Sequence, residues 1–214
     1  MSLHADHSQR IVIEATALLA GGRGEKILES RDAAEHGRIN LCARPAGATW
    51  AHAGTRLLEL LVVRGHVRVN GEELGPSSYA RLASGRPATL RTEAGCVLYL
   101  NERNPAEPAT DSFALRGATL KWRQGMVPGL KVASLHEGLT GHTALVHWAP
   151  ETRFNPHTHV GGEEILVLDG VFRDEHGSYP VGTWIRSPHL SNHRPFTGPE
   201  GATILVKVGH LDVA

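Results

Sequence analysis

Apolar positions in this chain come in short runs, several with a period of two. Val67-Arg68-Val69 alternates, as does Thr203 to Val208. Two denser runs, Leu60-Leu61-Val62-Val63 and Ile165-Leu166-Val167-Leu168, have the length and branching of buried strands. The dipeptides Asn70-Gly71 and Asp169-Gly170 mark tight turns beside them. Helical spacing is missing over any long window, and only Ala15 to Ala20 suggests a short helix. Many short strands broken by turn residues predict an all-β fold built as small antiparallel jelly-roll barrels.

The pattern occurs twice. Laying Lys26-Ile27-Leu28 over Lys131-Val132-Ala133 gives an offset of 131 − 26 = 105. At that offset Pro45 falls on Pro150, His52 on His157, Glu59 on Glu164, Gly65 on Gly170 and Arg81 on Arg186. The two dense apolar runs coincide as well. Val97-Leu98-Tyr99-Leu100 meets Thr203-Ile204-Leu205-Val206 once the offset slips to 106. A fixed long period means a repeated structural unit. The layout expected is an N-terminal extension at 1–23, a first barrel at 24–103, a linker at 104–118 and a second barrel at 119–214. The proline-bearing stretch Asn104 to Pro108 marks the linker.

Charge narrows the function classes. Lys+Arg and Asp+Glu both total 22 in 214 residues, with a pI near 7.3, and no basic stripe stands out. That argues against nucleic-acid binding. No apolar stretch approaches the ~20 residues of a membrane span, and no signal pattern opens the chain, so a soluble, cytoplasmic protein is expected. Cys42 and Cys96 form no CxxC pair and read as small buried hydrophobes rather than a redox pair. Histidine, at 14 residues, is the compositional oddity. It is the commonest metal ligand.

The histidines concentrate in the second repeat. On a strand, His157 and His159 share a face. Gly161 and Gly162 then let the backbone turn so that Glu163 comes back toward them. His193, on a later strand, supplies a fourth donor. Three imidazoles and one carboxylate suit Zn, Fe, Mn, Ni or Cu and are unlike the all-oxygen sites of Ca or Mg.

The order HxH, three residues, Glu163, then Gly170, Pro180-x-Gly182 and a late histidine resembles the two cupin motifs. Gly161 to Phe172, Asp174-Glu175-His176-Gly177, Tyr179-Pro180, Gly182-Thr183-Trp184-Ile185-Arg186 and Val206 to Leu211 resemble the ChrR-like cupins more narrowly. That family is called after the zinc-binding anti-sigma regulator ChrR. The resemblance covers about 120–211 closely and the first repeat weakly. It implies a bicupin whose second barrel binds one divalent metal ion, zinc first and iron, manganese or nickel next, through His157, His159, Glu163 and His193. One departure is that Glu151 stands where the family's first motif usually opens with glycine. ChrR's helical anti-sigma domain, with its His and CxxC pair, has no counterpart here, so sigma-factor binding is not expected.

The first repeat keeps only His52. Gly54, Leu58 and Ala88 stand at the positions of His159, Glu163 and His193, so no metal is expected there. Glu59, opposite Glu164, survives where the ligands have gone, which leaves Glu163 as the ligand of the adjacent pair. Candidate pocket-lining residues are His147, Phe154, Trp184 and His189, with Phe196 as a further wall; no catalytic base is obvious near the motif, Arg153, His147 and His189 being the candidates, and His176 is read as solvated in a turn. Two functions are compatible with this reading. One is a sensory, regulatory or small-molecule-binding module. The other is a metal-dependent cupin enzyme, such as a dioxygenase acting on a small diketone-like substrate. Family analogy adds a homodimer; a small-molecule ligand is the other partner expected.

Overall fold

The computed structural model describes residues 3–30, 37–104, 111–138 and 141–211. Of the expected linker, residues 105–110 lie outside the described residues. Among the described residues strands dominate, and the helical elements are a single α-turn, Thr16–Leu19, and a 3-10 turn, Gly117–Thr119. The chain divides into two units. The first comprises Met1–Ala5 and Ala17–Leu120, the second Asp6–Thr16 and Lys121–Ala214.

The first unit has a six-stranded sheet in the order Phe113–Leu115, Tyr79–Leu82, Leu57–Gly65, Cys96–Arg103, Gly37–Arg44, Gly24–Ser30. A four-stranded sheet, Thr49–His52, Ala88–Arg91, Val67–Val69 and Glu72–Leu74, completes it. The larger sheet of the second unit runs Ile11–Glu14, Thr183–Ser187, Glu163–Asp174, Phe196–Val208, Gly141–Trp148, Leu130–Gly138, Arg123–Gln124, with Gly177–Pro180 paired to Glu163–Asp174. Facing strands His157–His159 and Ser191–His193 form its small sheet. The path is the same in both units: each repeat supplies the inner strands and a segment from outside the repeat supplies the edge. Phe113–Leu115 borders the first unit, and Ile11–Glu14, from the expected N-terminal extension, borders the second.

The offset survives as geometry. His52 pairs with Ala88 across one ladder and His157 with His193 across the other, and both residues shift by 105. Gly65 and Gly170 keep φ at 71° and 68°. A Cβ at either would sit 2.2 Å from a carbonyl oxygen, that of Gly95 or Gly201, so only glycine fits.

Alternation decides what fills each barrel. In the first, Leu58, Leu60 and Val62 point to one face and pack with Cys42, Val67, Leu74, Leu90 and Leu98. The corresponding face of the second carries Ile165 and Val167 with Trp148, Phe172, Ile185 and Ile204. One step before Ile165 on that face stands Glu163, where the first barrel has buried Leu58. Filling that place with a leucine contributes about 1.5–3 kcal/mol. Placing a carboxylate there costs free energy unless something binds it.

Candidate metal centre

His157 and His159 sit on one short strand, whose alternation turns both rings to one face and Thr158 to the other. There Thr158 Oγ1 accepts from Asn192 Nδ2 at 3.1 Å. The antiparallel neighbour Ser191–His193 brings His193 opposite His157. Donor nitrogens of His157, His159 and His193 all lie within 4.8 Å of one another. His159 Nε2 and His193 Nε2 are 3.0 Å apart, and Glu163 Oε2 lies 3.5 and 3.6 Å from them.

The turn that returns Glu163 uses its two glycines. Gly161 and Gly162 have φ of 73° and 69°, and the Gly162 amide donates to the His159 carbonyl at 3.2 Å. His189 Nδ1 accepts from the Gly161 amide at 2.8 Å, pinning the turn from the far side. Upstream, Glu151 has φ of 57°. The turn that glycine would open is kept, with a glutamate held in the left-handed region.

The electrostatics suit a cation. Burial lowers His157 and takes His159 down to about 3, helped in both by the charge that His193 would carry. Both rings are therefore neutral with a free lone pair near pH 7. His157 Nδ1 lies 3.0 Å from the Asn155 carbonyl, to which it donates, and this leaves Nε2 as the acceptor nitrogen. Burial pushes Glu163 up to about 7 against the lowering influence of His193. Its Oε2 is buried without a hydrogen-bond partner. An orphaned carboxylate oxygen beside neutral imidazoles fits a divalent transition ion; the histidine triad could hold one.

Behind His193 stands Asp174, which falls in the family-like run Asp174 to Gly177 but is not among the expected site residues. Its Oδ2 is 3.7 Å from His193 Nδ1 and accepts from Arg10 Nη2 at 3.1 Å. Burial raises Asp174, but His193, the Tyr179 hydroxyl, the His176 amide and Arg10 outweigh it and hold the carboxyl at about 2. One signal could have found it. At the 105 offset Asp174 replaces Val69, the same acid-for-apolar exchange that separates Glu163 from Leu58.

His157, His159, Glu163 and His193 line a cavity of about 380 Å³, walled further by His142 and by Leu130, Val146, Trp148, Phe154, Phe172 and Ile204 among others. No lysine or arginine lines it among the described residues. Phe154 stacks edge-on to His157, with centroids 4.8 Å apart. His147, Trp184 and His189 do not line it. The strand Gly141–Trp148 turns Val146 and Trp148 inward and His147 outward, where its Nδ1 meets Thr203 Oγ1 at 3.1 Å. Trp184 shares the opposite sheet face with its ladder partner Leu166, and His189 is spent on the turn. Phe196 lies under the Arg153 guanidinium, 5.5 Å from its centroid, outside the cavity lining. Exposed His176 sits in the turn before Gly177.

Glu164 points away from the triad and meets His210 Nε2 at 2.9 Å. Burial raises its carboxyl, and His210, Lys207 and Arg186 together bring it below the usual range. In the first unit His52 is a bonded core histidine: Nδ1 faces Glu102 Oε1 at 3.2 Å and Nε2 faces the Arg56 carbonyl at 3.1 Å. Cys42 and Cys96 are free and buried, and burial pushes both thiols up, Cys42 to about 11. Neither is a reactive thiolate. No described helix is long and apolar enough to cross a membrane.

Comparison with known proteins places this geometry. Over 95% of this chain and 85% of theirs, the salicylate 1,2-dioxygenase of Pseudaminobacter salicylatoxidans superposes with a TM-score of 0.71 at 10% identity. The oxalate decarboxylase of Lactobacillus farciminis gives 0.67 at 12% identity, covering 100% of this chain and 90% of that one. Protein Ylba from E. coli gives 0.72 at 15%, covering 98% and 95%. At such identities the likeness carries the fold, two cupin barrels in one chain. No curated protein sequence matches the chain. Residues 110–212, which hold the histidine triad, match the ChrR cupin-like domain family.

Proposed function

We propose that the second barrel holds one divalent transition ion through His157, His159 and His193 with Glu163, and uses it to bind a small, largely apolar oxygen ligand in a sensory or regulatory role. The observation that carries this reading is the cavity itself: the four donor groups open into a chamber whose other walls are apolar except for His142. A structural zinc site is closed on all sides by protein. Here a ligand entering the chamber would meet the ion directly. Zinc is the first choice of metal, since neutral imidazoles and a carboxylate suit it.

The chamber also sets the ligand's chemistry. Without a lysine or arginine on its walls, the chamber offers negative charge the metal end and, outside it, one imidazole, that of His142. A compact molecule with an enol or carbonyl pair at one end and apolar groups at the other fits. A dicarboxylate would bury its second charge against aromatic and aliphatic walls.

A second reading is a metal-dependent dioxygenase for such a molecule. The same openness favours it, because metal-assisted chemistry needs a free coordination position. A redox-active ion bound there would supply the one-electron chemistry that lets O2 react, the electrons that reduce it coming from the oxidised substrate. The chain's own part would be to orient the substrate between Phe154 and Phe172 and to keep water out. Elemental analysis of the purified protein, with oxygen uptake on simple β-diketones, tests both readings. Zinc without turnover supports the module, and iron with turnover supports the enzyme. A protein that takes up no transition metal refutes both.

A further inference from the structure

We infer that Asp174, clamped by Arg10 and Tyr179, is a positioning residue for the metal centre, and that the strand preceding the first repeat is therefore a working part of the second barrel's site. This rests on the proposed reading that His193 is a metal ligand.

Consider the two nitrogens of His193. Nε2 faces His159 and Glu163, at 3.0 and 3.6 Å. Nδ1 looks the other way, toward Asp174 Oδ2 at 3.7 Å. An imidazole that gives its Nε2 lone pair to a cation carries its proton on Nδ1, and an acceptor behind that proton fixes both tautomer and ring orientation. Asp174 is the group in that position.

A carboxylate can orient a histidine only if it is itself immobile. The Asp174 side chain is 2% exposed, and both oxygens are held. Oδ1 accepts from the amides of His176 and Gly177 at 2.8 and 3.1 Å and from the Tyr179 hydroxyl at 2.8 Å. Oδ2 accepts from Arg10 Nη2 at 3.1 Å, and the same Nη2 donates to the Tyr179 oxygen at 2.7 Å. The guanidinium also stacks 5.5 Å from the Tyr179 ring centroid. Arg10 directly precedes Ile11–Glu14, which is laddered onto Thr183–Ser187, so the cation is delivered by a fixed strand.

The first barrel supplies an internal control. Subtracting 105 takes Asp174 to Val69 and Tyr179 to Leu74, and the hairpin register agrees: Phe172 pairs with Tyr179 as Val67 pairs with Leu74. Val69 and Leu74 belong to the apolar cluster of that barrel. The copy without the ligands also lacks the acid and the hydroxyl behind them. A network kept for fold stability alone would have no reason to vanish together with the metal set.

The test is metal affinity measured on the full chain, by competition for Zn²⁺ against a chromophoric chelator. The ligand-field spectrum of the Co²⁺-loaded protein is a second readout. Asp174→Ala is expected to weaken Zn²⁺ binding roughly 10–100-fold, the usual loss for such a supporting partner, and to shift the Co²⁺ bands. Arg10→Met is expected to act in the same direction, more weakly, and to add nothing in the Asp174→Ala background. Because Asp174→Ala could disturb folding, Arg10→Met alone also decides the matter, its metal-free melting curve being checked against the parent. Unchanged affinity and spectrum in both variants would overturn the inference. A parent protein that binds neither ion would instead overturn the reading of the site.

Discussion

Replacing Glu163 with glutamine should make the metal-free protein more stable, and only at neutral to alkaline pH. The carboxyl is buried and pushed from 4.5 to about 7, a shift of 7 − 4.5 = 2.5. At about 1.36 kcal/mol per pH unit, ionising it in the folded protein costs about 3 kcal/mol. The sign follows from the direction: a raised carboxyl favours folding below its unfolded value of 4.5, and that contribution is lost as pH rises through 7. Glutamine does not titrate. Chelator-stripped Glu163→Gln should therefore melt with the parent at pH 4.5 and roughly 6–12 °C above it at pH 8, taking about 2–4 °C per kcal/mol for a chain of this size. Zinc should narrow the gap, because the parent keeps a charged donor; a hundredfold difference in affinity is worth about 2.7 kcal/mol. Thermal melts followed by circular dichroism at the two pH values, with and without zinc, provide the measurement. Equal melting points at pH 8 in chelator would show that Glu163 suffers no burial cost, and the argument that its orphaned oxygen awaits a cation would fall with it.

Four further outcomes are expected. Spreading the ~10–16 kcal/mol of a structural zinc site over four donors gives ~2.5–4 kcal/mol each, so His159→Ala should weaken Zn²⁺ binding ~10²–10³-fold. His52→Ala should leave the metal content at one ion per chain, read by elemental analysis. Glu151→Gly should raise stability by about 0.5–1 kcal/mol in denaturant titration, since it relieves a left-handed non-glycine residue at φ of 57°. In the Glu163→Gln background, where the opposing carboxyl is gone, the metal-free protein should lose stability as pH falls from 6.5 toward 4, because His159 is lowered to about 3 and its contribution to folding is held only while the ring is neutral; adding His159→Gln should flatten that limb of the stability curve.

Much of this arrangement is legible in the residue pattern because strand geometry obeys simple rules. The offset of 105 between repeats reappears as matched ladder partners, His52 with Ala88 and His157 with His193. The choice of Glu163 over Glu164 follows from alternation, and the two do point to opposite faces, one toward the triad and one to His210. Pocket walls were harder to read. His147 lies beside inward-facing Trp148, and sequence proximity to a wall residue says nothing without knowing the strand's phase. His189, four residues from His193, serves the glycine turn instead of the chamber. Arg10 and Asp174 were invisible as a pair, since 164 positions separate them and nothing local links an N-terminal arginine to a hairpin acid. The edge strands were hidden for the same reason: Ile11–Glu14 reads as an extension and Phe113–Leu115 as linker until their ladder partners are known.

Those borrowed edges bear on how the chain is made. Ile11 pairs with Arg186 and Glu14 with Thr183, so this strand, once it has left the ribosome, finds its partner only some 170 residues later. At about 5–20 residues per second that is a wait of roughly 9–34 s with its amides unanswered. Closure of the second barrel is thus tied to synthesis of Thr183–Ser187, and a chain truncated between the repeats would carry a strand whose template was never synthesised.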